Sequence, residues 1–152
     1  YTLILLREEG YPCVFYPDLF GGHYTDLGRD GEAHEIFLAA VDELPALLEA
    51  RQKYAYGLQR SWFDDAHCVG WTREGDDSHE GCAVLLSNGD AAEKHMELGT
   101  RWAGRSFRDL LGKIEEPVTV NEEGWGAFRV APGSVSVWVP AHPLAPSQGE
   151  GE

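Results

Sequence analysis

The side chains best suited to acid–base or metal chemistry are the histidines and the paired carboxylates. The six histidines lie at positions 23, 34, 67, 79, 95 and 142. They share no ligand spacing, and the sequence contains no HExxH, CxxC or calcium-loop motif, so we predict no metal site in this chain. Four pairs of adjacent carboxylates fall at turn signals, at residues 64–65, 76–77, 115–116 and 122–123. Neighbouring carboxylates on a loop point in different directions and are solvated, which favours a surface role over a catalytic one.

Nucleophile and phosphate-binding motifs are also missing, because the sequence has no GxSxG, GxGxxG or P-loop. The five tryptophans could stack against sugar rings or fill the core of a small β domain: Trp62, Trp71, Trp102, Trp125 and Trp138. Core packing is the commoner role, so we expect most of them to be buried. The residues alone therefore indicate no catalytic constellation.

Charge and cysteine content limit the partners. The net charge is −14 and the pI is near 4.7. Such a surface repels nucleic acid and anionic membranes, so we expect neither as a partner. The three cysteines, Cys13, Cys68 and Cys82, argue against a disulfide framework and fit a reducing compartment. Cys13 and Cys82 lie in apolar runs and are expected to be small core residues. No run approaches the roughly 20 apolar residues that span a bilayer.

The chain is organised around residues 10–22, GYPCVFYPDLFGG. The apolar run at residues 13–16 is bounded by glycine and proline, which predicts a strand buried on both faces of a parallel sheet. A helix is predicted before it, at residues 1–9, and a polar loop after it, to about residue 31. Loops at the carboxyl ends of such strands meet substrates. Tyr16, Asp18, His23 and Tyr24 are therefore candidate substrate-rim residues, although an ordinary surface loop is an open alternative.

The pattern turns helical from residue 35 to residue 56, with the main helix over residues 44–56 and Pro45 in its first turn. Beyond Gly57 the periodicity changes to short β-type runs separated by turn signals. These runs are residues 67–73, 82–87, 94–98, 106–110, 118–120, 126–130 and 134–139. They predict an antiparallel sandwich or Greek-key domain. We therefore divide the chain into an α/β piece at residues 1–57, a β-sandwich at residues 58–140 and a disordered tail at residues 141–152.

Five segments resemble the C-terminal part of bacterial α-amylases of glycoside hydrolase family 13, most closely the cytoplasmic branch. They are LILLREEGYPCVFYPDLFGGHY, LPALLEARQKYAYG, FDDAHCVGWTREG, VLLSNGDAAEK and GWGAFRVAPGSVSVWV. The resemblance implies that residues 1–57 are the last strand and flanking helices of a (β/α)8 TIM barrel. It also implies that residues 58–140 are the antiparallel domain C, and that the protein is cytoplasmic.

The resemblance further implies endo-hydrolysis of α-1,4-glucosidic bonds in starch, glycogen and maltodextrins by a retaining two-carboxylate mechanism. The family's catalytic carboxylates lie on barrel strands that would precede Tyr1, so we expect no catalytic residue in this chain. Since no initiator Met is present, we expect a C-terminal fragment that closes and stabilises the barrel and is inactive alone. Two alternatives stay open: a sister glucan-processing activity with different products, and a stand-alone, non-catalytic α-glucan-binding or structural module.

Calcium is the cofactor that the resemblance raises. Secreted relatives hold a calcium ion between barrel and domain C, and His67 and Asn88 occupy two of the corresponding ligand positions here. A neutral histidine is a poor calcium ligand, and asparagine contributes one uncharged carbonyl. We therefore expect no calcium in this chain, although the parent protein could bind it elsewhere.

Overall fold

The computed structural model describes residues 1–142. In this part of the chain, three helices and ten strands follow one another, with a short 3₁₀ turn at Thr100–Trp102. The helices are α1 (Thr2–Leu6), α2 (Tyr16–Phe20) and α3 (Leu44–Lys53). The strands are β1 (Gly22–Leu27), β2 (Ala33–Leu38), β3 (Gln59–Trp62), β4 (Cys68–Arg73), β5 (Cys82–Ser87), β6 (Ala92–Glu97), β7 (Ser106–Asp109), β8 (Val118–Thr119), β9 (Trp125–Val130) and β10 (Val135–Pro140). No helix in this part is long and apolar enough to cross a membrane.

Strands β3 to β10 form an antiparallel sandwich. Six of them make one sheet in the order β3-β4-β5-β10-β7-β8, and β6 pairs with β9 as a separate ribbon. Strand β10 inserts between β5 and β7, with Val137 opposite Val84 and Trp138 opposite Asp109. Each of the seven predicted β-type runs overlaps one of the strands β4 to β10, so the predicted antiparallel sandwich is confirmed. Strand β3 was not predicted, because its sequence QRSW is mostly polar.

The first core lies between the large sheet and the β6–β9 ribbon. Phe107, Phe128 and Trp138 meet there with ring centroids about 6 Å apart. Gly70 is required in β4, because a Cβ atom there would lie 2.7 Å from the Met96 sulfur. The absence of that side chain lets the ribbon approach the sheet closely and seals this core.

The second core lies on the opposite face of the large sheet, where α1 and α3 pack. Leu5, Leu6, Leu44 and Leu47 from the helices are buried against this face. The sheet contributes Trp71, Cys82, Val84, Val137 and Val139. Strand β5 is therefore buried on both faces, which explains its unbroken apolar run CAVLL.

Two side-chain hydrogen bonds fasten α1 to the rest of the molecule. The carbonyl oxygens of residues at a helix C-terminus have no partner inside the helix and must be satisfied elsewhere. The Arg51 guanidinium donates to the Leu5 carbonyl at 2.6 Å, and the Trp71 indole donates to the Leu6 carbonyl at 3.2 Å. A five-residue helix that could not persist alone is thus held by α3 and by β4.

Residues 13–16 do not form the predicted buried strand within the described part of the chain. Cys13 is exposed, and Phe15 and Tyr16 are 58% and 68% exposed. After α1, regular structure resumes only at Tyr16 with α2, where Pro17 occupies the first turn. The apolar run has no parallel neighbour among residues 1–142, so its backbone cannot join a ladder.

The region predicted as a polar loop followed by the start of a helix is instead a β-hairpin. Strands β1 and β2 pair in antiparallel register, with His23 opposite Phe37. The turn is set by Asp30, whose Oδ1 accepts the Glu32 N–H at 3.0 Å, and by Gly31 with φ +77°. The helix itself starts later, as α3, with Pro45 in its first turn as predicted. Of the predicted tail, residues 143–152 lie outside the described residues.

Candidate functional site

The aromatic hairpin region, defined as residues 16–38, contains all four predicted rim residues. Helix α2 adjoins the base of the hairpin, since the Val41 N–H donates to the Asp18 carbonyl at 2.7 Å just beyond β2. Tyr16 and Phe20 present neighbouring rings on α2, with centroids 4.7 Å apart. Both side chains are about two-thirds exposed. This region therefore offers aromatic surface to a partner or ligand.

His23 has two side-chain contacts on this surface, one with an aromatic ring and one with a carboxylate. Its ring stacks on Phe37 across the hairpin, with centroids 4.1 Å apart and planes inclined by 12°. His23 Nε2 also lies 3.4 Å from a carboxylate oxygen of Glu35. Phe37 is 69% exposed, so the stacked pair presents a flat ring face to solvent. Such a face can pack against the C–H face of a sugar ring, while the imidazole provides a polar edge.

Asp18 and Tyr24 are placed differently from His23. The Asp18 carboxylate accepts a hydrogen bond from the Tyr1 hydroxyl, and this bond raises the pKa of Tyr1. The same hydroxyl oxygen accepts the Phe15 N–H at 3.2 Å. Asp18 therefore anchors α2 to the start of the chain rather than projecting as a free carboxylate. Tyr24 is 48% exposed and, as the next residue along β1, lies on the other face of the hairpin from His23.

Sequence reasoning missed Phe20 and Phe37 as members of this surface. Phe37 was assigned to a helix, so its position opposite His23 could not be foreseen. The signal that could have found it is Asp30-Gly31, a turn dipeptide flanked by the β-forming residues Tyr24, Thr25, Ile36 and Phe37.

The carboxyl groups of the described chain can be compared with those that glycoside hydrolysis requires. A retaining enzyme needs two carboxyl groups about 5 Å apart, one of which has a raised pKa to act as the acid. Every carboxyl group here whose pKa clearly departs from its ordinary value has it lowered: Glu9, Asp30, Glu43, Asp64 and Asp76. Hydrogen-bond donors or cations cause each shift; for Asp64 the Lys94 ammonium, at 2.6 Å, is the largest cause. None of these five groups therefore has the raised pKa that a general acid needs.

The residues at the implied calcium position do not fit that ion. His67 Nδ1 and Asn88 Oδ1 are 3.1 Å apart and hydrogen-bond to each other directly. Asp65, the nearby carboxylate, accepts the His67 backbone N–H at 2.7 Å. Calcium takes six to eight oxygen ligands, and no group of three or more potential metal-ligating side chains occurs among residues 1–142. At the position that the resemblance implies for calcium, the His67 and Asn88 side chains thus bind each other.

The tryptophans pack inside the sandwich. Trp71 and Trp138 are fully buried and Trp102 is 5% exposed. Trp62 and Trp125 are half-buried and meet edge to face, with centroids 6.1 Å apart. The expectation that these residues serve mainly as core is confirmed, and the sandwich presents no exposed tryptophan surface in its described residues.

The described residues form a β-sandwich domain with an N-terminal helical and hairpin segment. Residues 82–139 match the family model described as α-amylase C-terminal. The chain is 46% identical over 139 residues to the cytoplasmic α-amylase of Escherichia coli K12, which covers 91% of this chain and 28% of that protein. It is 43% identical over 141 residues to the α-amylase of Bacillus licheniformis, covering 91% of this chain and 26% of that protein.

A solved α-amylase structure from Anoxybacillus shares the fold, with a TM-score of 0.50 and 16% identity over 69% of this chain and 23% of that one. The chain is thus similar over nearly its whole length to α-amylases, and residues 82–139 match the model of their C-terminal domain. It spans little more than a quarter of the length of the curated relatives that it matches.

Proposed function

We propose that this chain is the C-terminal part of an endo-acting α-1,4-glucan hydrolase that cleaves starch, glycogen and maltodextrins by a retaining mechanism. The catalytic carboxylates would lie on a barrel segment preceding Tyr1. The 46% identity to a cytoplasmic α-amylase supports this activity, and the downward pKa shifts of the chain's own carboxyl groups agree with an acid supplied from elsewhere. The relative's name and the absence of disulfides among the cysteines of this chain also support a cytoplasmic location.

The observation that carries the proposal is the distribution of uncovered apolar surface. All large hydrophobic side chains that are exposed in the described chain lie at or before Phe63: Leu3, Ile4, Tyr11, Phe15, Tyr16, Phe20, Tyr24, Leu27, Phe37, Leu58 and Phe63. Soluble monomers rarely expose contiguous apolar patches beyond a few hundred Å². We infer that an upstream barrel covers the part of this surface outside the hairpin, leaves the hairpin rings at the border of the glucan site, and pairs with residues 13–16 as its last strand.

The substrate-facing role is proposed for Tyr16, Asp18, His23 and Tyr24, with Phe37 added by its stacking on His23. In this arrangement the His23–Phe37 pair borders the glucan site and packs against a sugar ring. Asp18 acts indirectly, since its carboxylate holds Tyr1 and thereby positions α2.

The second candidate is a stand-alone α-glucan-binding or structural domain. It would need an aromatic surface outside any barrel, and the aromatic hairpin region supplies one. The burial of Trp71, Trp102 and Trp138 removes the tryptophan surface on which that interpretation first rested. The hydrolase proposal accounts for the exposed residues outside the hairpin as well, and we prefer it.

Reducing-sugar release from soluble starch tests the proposal. The chain alone is compared with a protein extended upstream through a complete barrel, and we expect activity only in the extended protein. In that protein, Phe37→Ala should raise KM several-fold with little change in kcat, whereas Phe63→Ala, an exposed phenylalanine outside the hairpin, should leave KM unchanged. Turnover by the chain alone would contradict the proposal and would return attention to Asp18, Asp64 and Asp65 as catalytic groups.

A further inference from the structure

A crevice of about 330 Å³ lies between the helices and the edge of the large sheet. Its walls include Arg7 and Glu8 after α1, Arg51 and Gln52 on α3, Tyr56 beyond α3, and Arg73 at the end of β4. Three of these residues are arginines, although the whole chain has only 12 basic residues and a net charge of −14. Positive charge is thus concentrated at one point of a strongly acidic molecule.

Arg73 is the deepest of these cations, with 6% of its surface exposed. Its Nε and Nη2 atoms donate to the Gly57 carbonyl at 3.3 and 3.2 Å. Burial lowers the pKa of Arg73, which reflects the cost of holding this charge away from water. Arg51 lines the same crevice and donates through Nη1 to the Leu5 carbonyl. Both guanidinium groups are therefore held in place by backbone carbonyls, with other N–H groups left over.

Neither of these two guanidinium groups forms an ion pair with a carboxylate of residues 1–142. Among residues 1–142, no carboxylate oxygen lies within 4.0 Å of a nitrogen of Arg51 or Arg73. Arg7 differs, because its guanidinium pairs with Glu9 at 3.2 Å. Buried or half-buried charges are normally paired, since an isolated charge loses its hydration without compensation. The crevice is consequently preorganised for a negative group.

We propose that the Arg51–Arg73 crevice binds a small oxyanion of the phosphate type, either free phosphate or the phosphate group of a small metabolite. Guanidinium groups match the geometry of phosphate oxygens and bind them with two parallel hydrogen bonds. The Gln52 side-chain amide on the crevice wall can donate a further hydrogen bond. The Glu8 carboxylate at the same wall disfavours the anion and sets a limit on its affinity. This function is independent of the proposed starch hydrolysis.

The experiment is a titration of the full chain with inorganic phosphate and with glucose 6-phosphate, followed by thermal unfolding and by calorimetry. Sodium chloride at matched ionic strength is the reference. We expect a saturable rise in Tm with phosphate beyond that with chloride. Equal affinity for both probes assigns the site to the phosphate group alone, and tighter binding of glucose 6-phosphate assigns it to a phosphorylated metabolite; either result supports the proposal.

Three variants make the titration specific. Arg51→Gln should weaken phosphate binding by about tenfold or more, which corresponds to the loss of one charge-assisted hydrogen bond. Glu8→Gln should tighten it a few-fold, a gain that damage to the fold could not produce. Arg101→Gln is the matched control, because Arg101 also donates to a backbone carbonyl, that of Asp76 at 3.0 Å, but lies outside the crevice. It should leave binding unchanged.

Three results would overturn the proposal: a phosphate effect no larger than that of chloride, equal weakening by Arg51→Gln and Arg101→Gln, or no effect of Glu8→Gln. The same titration is then made on a chain extended upstream. Retained affinity there supports a site for small anions. Loss of affinity shows that a neighbouring protein group fills the crevice and overturns it.

Discussion

The sandwich and the aromatic hairpin region both contain pairs of aromatic side chains, but those of the sandwich are buried and those of the hairpin region are exposed. In the sandwich, Phe107, Phe128 and Trp138 are fully buried between the sheet and its ribbon. In the hairpin region, Phe20 and Phe37 are about two-thirds exposed, although each contacts a neighbouring ring. The difference shows that the sandwich buries its own apolar side chains, whereas the hairpin region leaves apolar surface exposed in the described chain.

This contrast separates what stabilises the fold from what serves recognition. Stability should depend on the two cores on either side of the large sheet, because burial of apolar area is the main favourable term in folding. The hairpin is held chiefly by its own ladder and by the turn at Asp30. Substitutions in the hairpin should therefore be tolerated by the isolated chain and become costly only when a partner is bound.

The largest expected effect comes from replacing one phenylalanine by alanine in each region. Phe128→Ala leaves a cavity beside Phe107 and Trp138 and should reduce the free energy of unfolding by about 3–5 kcal/mol. Phe37→Ala removes only an exposed stacking contact and should cost about 1 kcal/mol or less. Urea midpoints of the two variants measure the difference. Equal losses would mean that the hairpin is part of the folding core, contrary to the comparison.

A smaller effect is expected from two glycines with nearly the same backbone conformation. Gly57 and Gly31 have φ of +76° and +77°, so alanine is strained at both positions by about 1–2 kcal/mol. A Cβ atom at Gly57 would also lie 1.9 Å from the Gly75 carbonyl oxygen, whereas at Gly31 nothing lies within 4 Å. Gly57→Ala should thus reduce the free energy of unfolding by about 3 kcal/mol or more. Gly31→Ala should reduce it only by the cost of the backbone strain.

The two glycine variants are compared by urea midpoint with the unmodified chain. Alanine at Gly57 forces apart the backbone between Tyr56 and Gly75, whose 2.8 Å hydrogen bond joins α3 to the sandwich. If both variants lost the same stability, the close approach of Gly57 and Gly75 would have no energetic weight, and the link between helices and sandwich would need another explanation.

The sandwich could be predicted from the sequence because its signals are local. Strand β10 contains most of the alternating sequence SVSVW, and turns with glycine separate the β-type runs of the sandwich. The mistakes arose where the outcome depends on distant partners. Residues 13–16 have the composition of a buried strand, yet a strand needs a neighbour with which to pair, and the described chain provides none.

The candidate site was predicted only in part for a related reason. Tyr16 was identified from its place at the end of an expected strand, and His23 and Tyr24 from the loop after it; all three are exposed. Phe37 was missed because Ile36, Phe37 and Leu38 precede the periodic pattern of α3 and were included in that helix. The arginine crevice could not be predicted, since Arg51 and Arg73 come together only when α3 packs beside β4.

The smallest expected effect concerns stability in acid. It compares an aspartate joined to the sandwich, Asp76, with one in the hairpin, Asp30. The pKa of Asp76, in the loop after β4, is lowered by the Ser78 N–H and the His79 side chain. The pKa of Asp30, in the hairpin turn, is lowered by the Glu32 N–H and the His34 side chain. A carboxyl group with a lowered pKa in the folded state stabilises that state above its ordinary value of 3.8. This stabilisation is lost as pH falls through the lowered pKa.

The loss of this stabilisation should affect global unfolding in the sandwich and only local opening in the hairpin. The Asp76 loop is joined to the sandwich, since the Asp76 N–H donates to the His79 carbonyl and Gly75 bonds to Tyr56. The hairpin can open locally without unfolding either core. Asp76→Asn keeps the hydrogen-bond acceptor but cannot titrate, so it should flatten the fall in urea midpoint between about pH 5 and pH 3. Asp30→Asn should leave that fall unchanged and alter only amide exchange in β1 and β2. A flattened fall in the Asp30→Asn protein would show instead that hairpin and sandwich unfold together.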